Sequence, residues 1–157
     1  MDHDFGAFER ARADSSPAGR AHLEFVRKFF ESLGRLDFGS AAALFGAEGL
    51  YQDVPVPELD ARGPEAIARK LEQALTGLDA LAFRFSRVVA SGDCVVSERE
   101  ESWYFPTGEV AVLPVLCVHE LRGGKFGLWR EYWNLPTLMS QMPESWIAEL
   151  TRRTQLP

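Results

Sequence analysis

Residues 94–133 read CVVSEREESWYFPTGEVAVLPVLCVHELRGGKFGLWREYW, and the pattern within them decides the fold. Polar and apolar residues alternate through three long runs, 94–105, 109–121 and 125–133. Pro106-Thr107-Gly108 separates the first pair of runs and Gly123-Gly124 the second. Successive side chains of a strand point to opposite faces, and short glycine turns join antiparallel neighbours, so the stretch predicts a meander of long antiparallel strands. A further alternating run, 82–90, leads into it through the turn Ser91-Gly92-Asp93.

The chain before the meander is helical in character. From Arg20, the residues Leu23, Val26, Phe30 and Leu33 recur at three- and four-residue steps and Gly34 follows, which predicts an amphipathic helix with its stop. A second, shorter helix is expected from about Phe38 to Phe45, with Asp37 as its N-cap. A strand is expected over 49–54, ended by Pro55 and Pro57. Gly63-Pro64-Glu65 opens a third helix running through Ile67, Leu71 and Leu75. Residues 1–19 show little apolar periodicity and read as a loosely held arm with a short helix near Phe5 and Phe8. Beyond Pro136, Leu138, Met142, Trp146 and Leu150 stand at helical spacing, a tail suited to covering a face or a partner subunit.

Residues 20–157 therefore form one α+β domain, in which three helices lean on a curved, mixed to antiparallel sheet and enclose a pocket. The order of elements resembles the cystatin-like, nuclear-transport-factor-2-like cone fold. That cone hosts isomerases, cyclases, hydrolases and binding modules, so function has to come from the site.

The composition narrows the choice. In 157 residues, 17 basic and 23 acidic side chains leave a formal net charge of −6, the wrong sign for wrapping nucleic acid. No apolar run approaches the roughly 20 residues of a membrane span, and the acidic start does not read as a secretory signal, so the cytoplasm is the expected location. Cys94 and Cys117 are expected to be buried thiols. No glycine-rich loop stands between a strand and a helix, so no nucleotide cofactor is implied.

Residues two apart share a strand face, which puts Ser97, Arg99, Glu101 and Trp103 together. By the same rule Trp129, Glu131 and Trp133 share a face, as do Tyr51 and Asp53. If these faces line the cone, three carboxylates, a guanidinium and a phenol converge in a cavity walled by Trp103, Leu113, Val115, Trp129 and Trp133. Glu98, Glu100, Glu120 and Arg130 are expected in water on the other face. A purely structural Arg99 to Glu101 ion pair is the plain alternative for that strand. His119 shares the inner face with Leu113, Val115 and Cys117, and is expected as a hydrogen-bonded histidine at the cavity rim, or else as a proton shuttle. His3 and His22 show no partner.

The segments Tyr51-Gln52-Asp53-Val54-Pro55-Val56-Pro57, Ser97-Glu98-Arg99-Glu100-Glu101, Pro106-Thr107-Gly108 and Gly127-Leu128-Trp129-Arg130-Glu131-Tyr132-Trp133 resemble the motifs of the limonene epoxide hydrolase family, in its order and nearly its spacing. That resemblance implies an enzyme without metal or organic cofactor that adds water to an epoxide of a small apolar molecule. It implies Arg99 as the bridging arginine, Glu101 as acid, Glu131 as base, and Tyr51 and Asp53 as the pair that holds the water. It also implies a homodimer formed through the open sheet face. Three of the five positions depart from the family pattern, with Glu101 and Glu131 in place of aspartates and Asp53 in place of an asparagine. A longer carboxylate moves its oxygens outward by roughly 1.5 Å, and about 1 Å of misplacement can cost about a hundredfold in rate.

Opening an epoxide with water needs a base for the water and an acid for the departing oxygen, which two carboxylates across an arginine can supply. Asp53 adds a third negative group, whose repulsion is expected to move activity to higher pH unless a proton or a bound cation relieves it. Two other classes stay open. An isomerase or cyclase similar to ketosteroid isomerase and the SnoaL-like polyketide cyclases would use the same acid and base, and a non-catalytic module would only bind an apolar ligand in the pocket.

Overall fold

The computed structural model describes residues 3–154, and its architecture follows from where apolar faces can be buried. Helix α1 (Gly6–Ala13) precedes the long helix α2 (Pro17–Gly34). The Ser16 hydroxyl accepts a hydrogen bond from the Gly19 N–H at 3.1 Å and Pro17 occupies the first turn, so α2 starts three residues before the apolar periodicity shows it. It buries Leu23, Val26, Phe29, Phe30 and Leu33 against the sheet. Each large side chain so removed from water contributes about 1.5–3 kcal/mol.

Helix α3 (Phe38–Ala42) is capped by Asp37, whose carboxylate accepts from the Ser40 N–H at 3.0 Å. Strand β1 (Phe45–Asp53) begins earlier than the sequence suggests, because Phe45 leaves the helix to pair with Phe126. A bulge follows, and at Gly49 a Cβ would stand only 2.6 Å from the Phe126 carbonyl oxygen, so only glycine fits. After a 3₁₀ turn (Pro57–Leu59) and the short β2 (Ala61–Arg62), helix α4 (Pro64–Leu75) packs Ile67, Leu71 and Leu75 inward.

The meander is as expected: β3 (Ala80–Ser91), β4 (Cys94–Tyr104), β5 (Val110–Arg122) and β6 (Lys125–Tyr132) pair antiparallel in sequence order. The curved sheet runs β2-β1-β6-β5-β4-β3, with β1 lying parallel to β6. That parallel register sets Tyr51 beside Trp129 and Asp53 beside Glu131. Helices α5 (Leu135–Met139) and α6 (Glu144–Thr154) close the open end of the cone. Gln141 ties α5 to the sheet by exchanging hydrogen bonds of 3.0 Å with both backbone groups of Val112. Trp146 packs edge-on to Phe105, and Arg153 donates to the Thr76 carbonyl at 2.7 Å.

The expectation of a loose arm over 1–19 needs correction for its described part. Asp4 exchanges backbone hydrogen bonds with Phe83 and Phe85 along the outer edge of β3. Phe5 stacks on Phe85, and Phe8 is buried against the same ring. Covering an edge strand satisfies groups that would otherwise recruit another chain, a benefit that leaves no periodic signal in so short a segment. His3 stacks on Phe83, and His22 meets the Gly92 carbonyl at 3.0 Å, so both have partners that the sequence did not reveal.

Candidate functional site

The cone encloses a cavity of about 270 Å³. Its floor is the inner face of the sheet and its walls come from α4, α5 and α6. Tyr51, Asp53, Glu101, Trp103, Leu113, Val115, Glu131 and Trp133 all line it, as the strand alternation predicts. Met139, Met142 and Ile147 from the tail complete an apolar roof.

Arg99 lies beneath the floor. Its guanidinium is 2 % exposed, sits over the Phe30 ring at 4.7 Å and bridges the two glutamates. Nη2 reaches Glu101 Oε1 at 2.6 Å and Glu131 Oε1 at 2.5 Å, while Nε donates to Glu101 Oε1 at 2.9 Å. Burial alone would lower the Arg99 pKa, but Glu131 and Glu101 outweigh it and hold the group charged. The Arg99 to Glu101 contact is thus part of a three-residue bridge on the cavity rather than an isolated structural pair.

Each of the three carboxylates also accepts an indole N–H. Trp103 donates to Glu101 Oε2 at 3.0 Å, Trp129 to Glu131 Oε1 at 2.7 Å, and Trp133 to Asp53 Oδ1 at 2.8 Å. Tyr51 donates its hydroxyl to Glu131 Oε2 at 3.1 Å. Burial, then the negative charges of Glu131, Asp53 and Glu101, push the Tyr51 pKa well up, so the phenol stays a donor.

Trp129 corrects the expected cavity wall. It is fully buried and does not line the cavity, because α2 covers it with Phe29 and Phe30 at ring distances of 4.0 and 5.2 Å. Alternation tells which way a side chain points, but not whether a helix or a cavity lies there. His119 is likewise no rim residue. It is fully buried, with Nε2 2.9 Å from Ser97 Oγ and Nδ1 3.3 Å from Cys117 Sγ. Burial, then the Arg99 charge, pulls the His119 pKa well down, and burial pushes the Cys117 thiol well up, so both are neutral and neither is a reactive group.

Lys70 is the site residue that the sequence concealed. From α4 its Nζ meets Asp53 Oδ2 at 2.6 Å and the Leu59 carbonyl at 2.7 Å, over the Tyr51 ring at 4.9 Å. Burial raises the Asp53 pKa above the usual aspartate range, Lys70 opposes that, and Glu131 adds to it. The third negative charge expected to disturb the site therefore carries its own counterion.

The family of the limonene-1,2-epoxide hydrolase catalytic domain matches residues 20–144. The chain belongs to the limonene epoxide hydrolase family. Among solved structures it is similar to an LEH-like epoxide hydrolase of M. tuberculosis, at 22% identity and a TM-score of 0.69, over 87% of this chain and 99% of that one. A Catenulispora acidiphila protein with a ketosteroid isomerase-like fold, solved in complex with trimethylamine, matches at 18% identity and a TM-score of 0.69, over 84% and 98% of the two chains. A Jannaschia protein described as a SnoaL-like polyketide cyclase matches at 17% and 0.70, over 82% and 95%. At these identities the structural likenesses establish the shared cone, and the family match is what separates this chain from its neighbours on that fold. Glu101, Glu131 and Tyr51 stand on one cavity floor, and Arg99 bridges the two glutamates from beneath it.

Proposed function

We propose that the protein hydrolyses an epoxide of a small apolar molecule, and the observation that carries this is the Glu101 to Arg99 to Glu131 bridge at the floor of an apolar cavity. Glu131 takes a proton from a water held near Tyr51 and Asp53. The water oxygen forms a bond to one epoxide carbon as the C–O bond of the ring breaks, and Glu101 in its acid form gives its proton to the departing oxygen. The product is a diol, and one proton then has to pass from Glu131 to Glu101 to restore the site. Arg99 offsets the charge that moves between the two carboxylates.

The row Val110, Val112, Leu116 and Tyr132 on the outer sheet face, each about 40% exposed, supports pairing of that face with a second copy. Among the described residues no helix is long and apolar enough to cross a membrane, and the two free cysteines suit a cytoplasmic setting. Incubating the purified protein with a panel of apolar epoxides and separating the diols tests the function. The expected result is diol from the wild type and a loss of about 10²–10⁴-fold with Glu131→Gln, whereas equal diol from both would remove the proposed base.

A further inference from the structure

We propose that Lys70 is a positioning residue of this site, its ammonium joining the Asp53 carboxylate in a donor–acceptor unit that does the work of an amide and fixes the attacking water. The role rests on the hydrolase function above. An asparagine, which the family pattern places here, offers one acceptor and one donor group at the same spot. Ionised aspartate offers acceptors only. Lys70 restores the missing donor, with its Nζ 2.6 Å from Asp53 Oδ2 and its side chain only 10% exposed.

The geometry is specific to a paired charge. An ammonium buried without a partner is costly, and Lys70, on α4 beside the core positions Ile67 and Leu71, forms its ion pair with Asp53. The Leu59 carbonyl takes a second N–H at 2.7 Å, and the third of the three donors remains for the water, with the Tyr51 ring 4.9 Å away. Asp53 Oδ1 is fixed in turn by the Trp133 indole. Both carboxylate oxygens keep a lone pair for a water that gives its other hydrogen to Glu131, the neighbour of Asp53 in register.

The charges add up accordingly. Lys70 and Asp53 cancel, which leaves Glu101, Arg99 and Glu131 with one surplus negative charge, the charge that a single catalytic proton neutralises. Without the ammonium, Asp53 is left with burial and the negative charge of Glu131 from β6, both of which raise its pKa, against the Trp133 hydrogen bond, which lowers it, while the Asp60 carboxylate accepts from its backbone N–H at 3.3 Å. Asp53 would then compete for the proton that Glu101 needs.

The test compares wild type, Lys70→Met, Asp53→Asn and the double variant. Aspartate labelled at its carboxyl carbon gives the Asp53 titration by NMR, identified by the signal that Asp53→Asn removes. The expected outcome is an Asp53 midpoint at least about one pH unit higher in Lys70→Met, a kcat for epoxide opening that falls about tenfold or more while KM changes less, and a double variant more active than either single one. An unchanged Asp53 midpoint in Lys70→Met would overturn the proposal, as would a double variant no more active than the better single one. A wild type that opens no epoxide removes the hydrolase function instead, and the titration still decides whether Lys70 governs Asp53.

Discussion

Trp129 donates its indole N–H to the carboxylate of Glu131, two residues further along the same strand, at 2.7 Å. The contact places a hydrogen-bond donor on the proposed base from the core side, out of reach of any ligand. It also gives the buried indole the partner that its N–H requires.

Trp129→Phe removes that donor and leaves the cavity lining intact. The expected result is a fall in kcat of about tenfold with KM nearly unchanged, because only the orientation of Glu131 is lost. Steady-state kinetics on any epoxide that the wild type opens checks this. A rise in KM at constant kcat would place Trp129 in ligand binding instead.

Arg99 is the side chain on which both glutamates depend. Arg99→Met leaves two carboxylates buried without their cation, and loss of one partner of a buried charge pair costs about 3–5 kcal/mol. Urea unfolding should show that loss, with activity abolished in whatever folds. A variant as stable as the wild type would mean that the bridge is not formed in solution.

The buried His119 gives the stability a pH dependence of known sign. Its pKa is pushed well below the ordinary value by burial and then by Arg99. The stability it contributes is therefore present above the unfolded pKa of about 6.5 and lost as pH falls through the lower folded value, at up to about 1.4 kcal/mol per pH unit. Between pH of about 7.5 and 5 the wild type should lose more stability than His119→Gln. Parallel curves for the two proteins would mean that the histidine takes up its proton alike in the folded and unfolded chain, as a solvated group does.

The exposed apolar row on β5 and β6 predicts self-association. Leu116→Glu sets a charge in the middle of that row, and light scattering should find a dimer for the wild type and a monomer for the variant. A monomeric wild type would end the dimer proposal without touching the site.

The meander and the long helix are legible in the sequence because alternation and three- to four-residue spacing are direct consequences of which side is buried. The shared inner faces of Arg99, Glu101 and Glu131 follow from the same rule; Glu101 and Glu131 line the cavity, and Arg99 is buried beneath them. Lys70 does not. It stands one residue before Leu71 on a helix flank, where a lysine is ordinarily solvated, and only the return of β1 beneath α4 brings Asp53 to it. The depth of Trp129 is hidden for a similar reason, since α2 covers one end of the inner face and leaves the other end open. The edge-covering Asp4 bridge depends on two backbone hydrogen bonds, which no side-chain pattern encodes.

In the proposed reaction water itself attacks the epoxide, activated by Glu131, with no covalent intermediate. A single turnover in oxygen-18 water, with enzyme in excess over an epoxide that the wild type opens, tests it most directly. The label should appear in the diol of that first turnover, and the protein carboxylates should stay unlabelled. An unlabelled first-turnover diol, with oxygen-18 recovered in the carboxyl group of Glu131 or Glu101, would rule out direct attack by water, because the attacking oxygen would then have come from the protein.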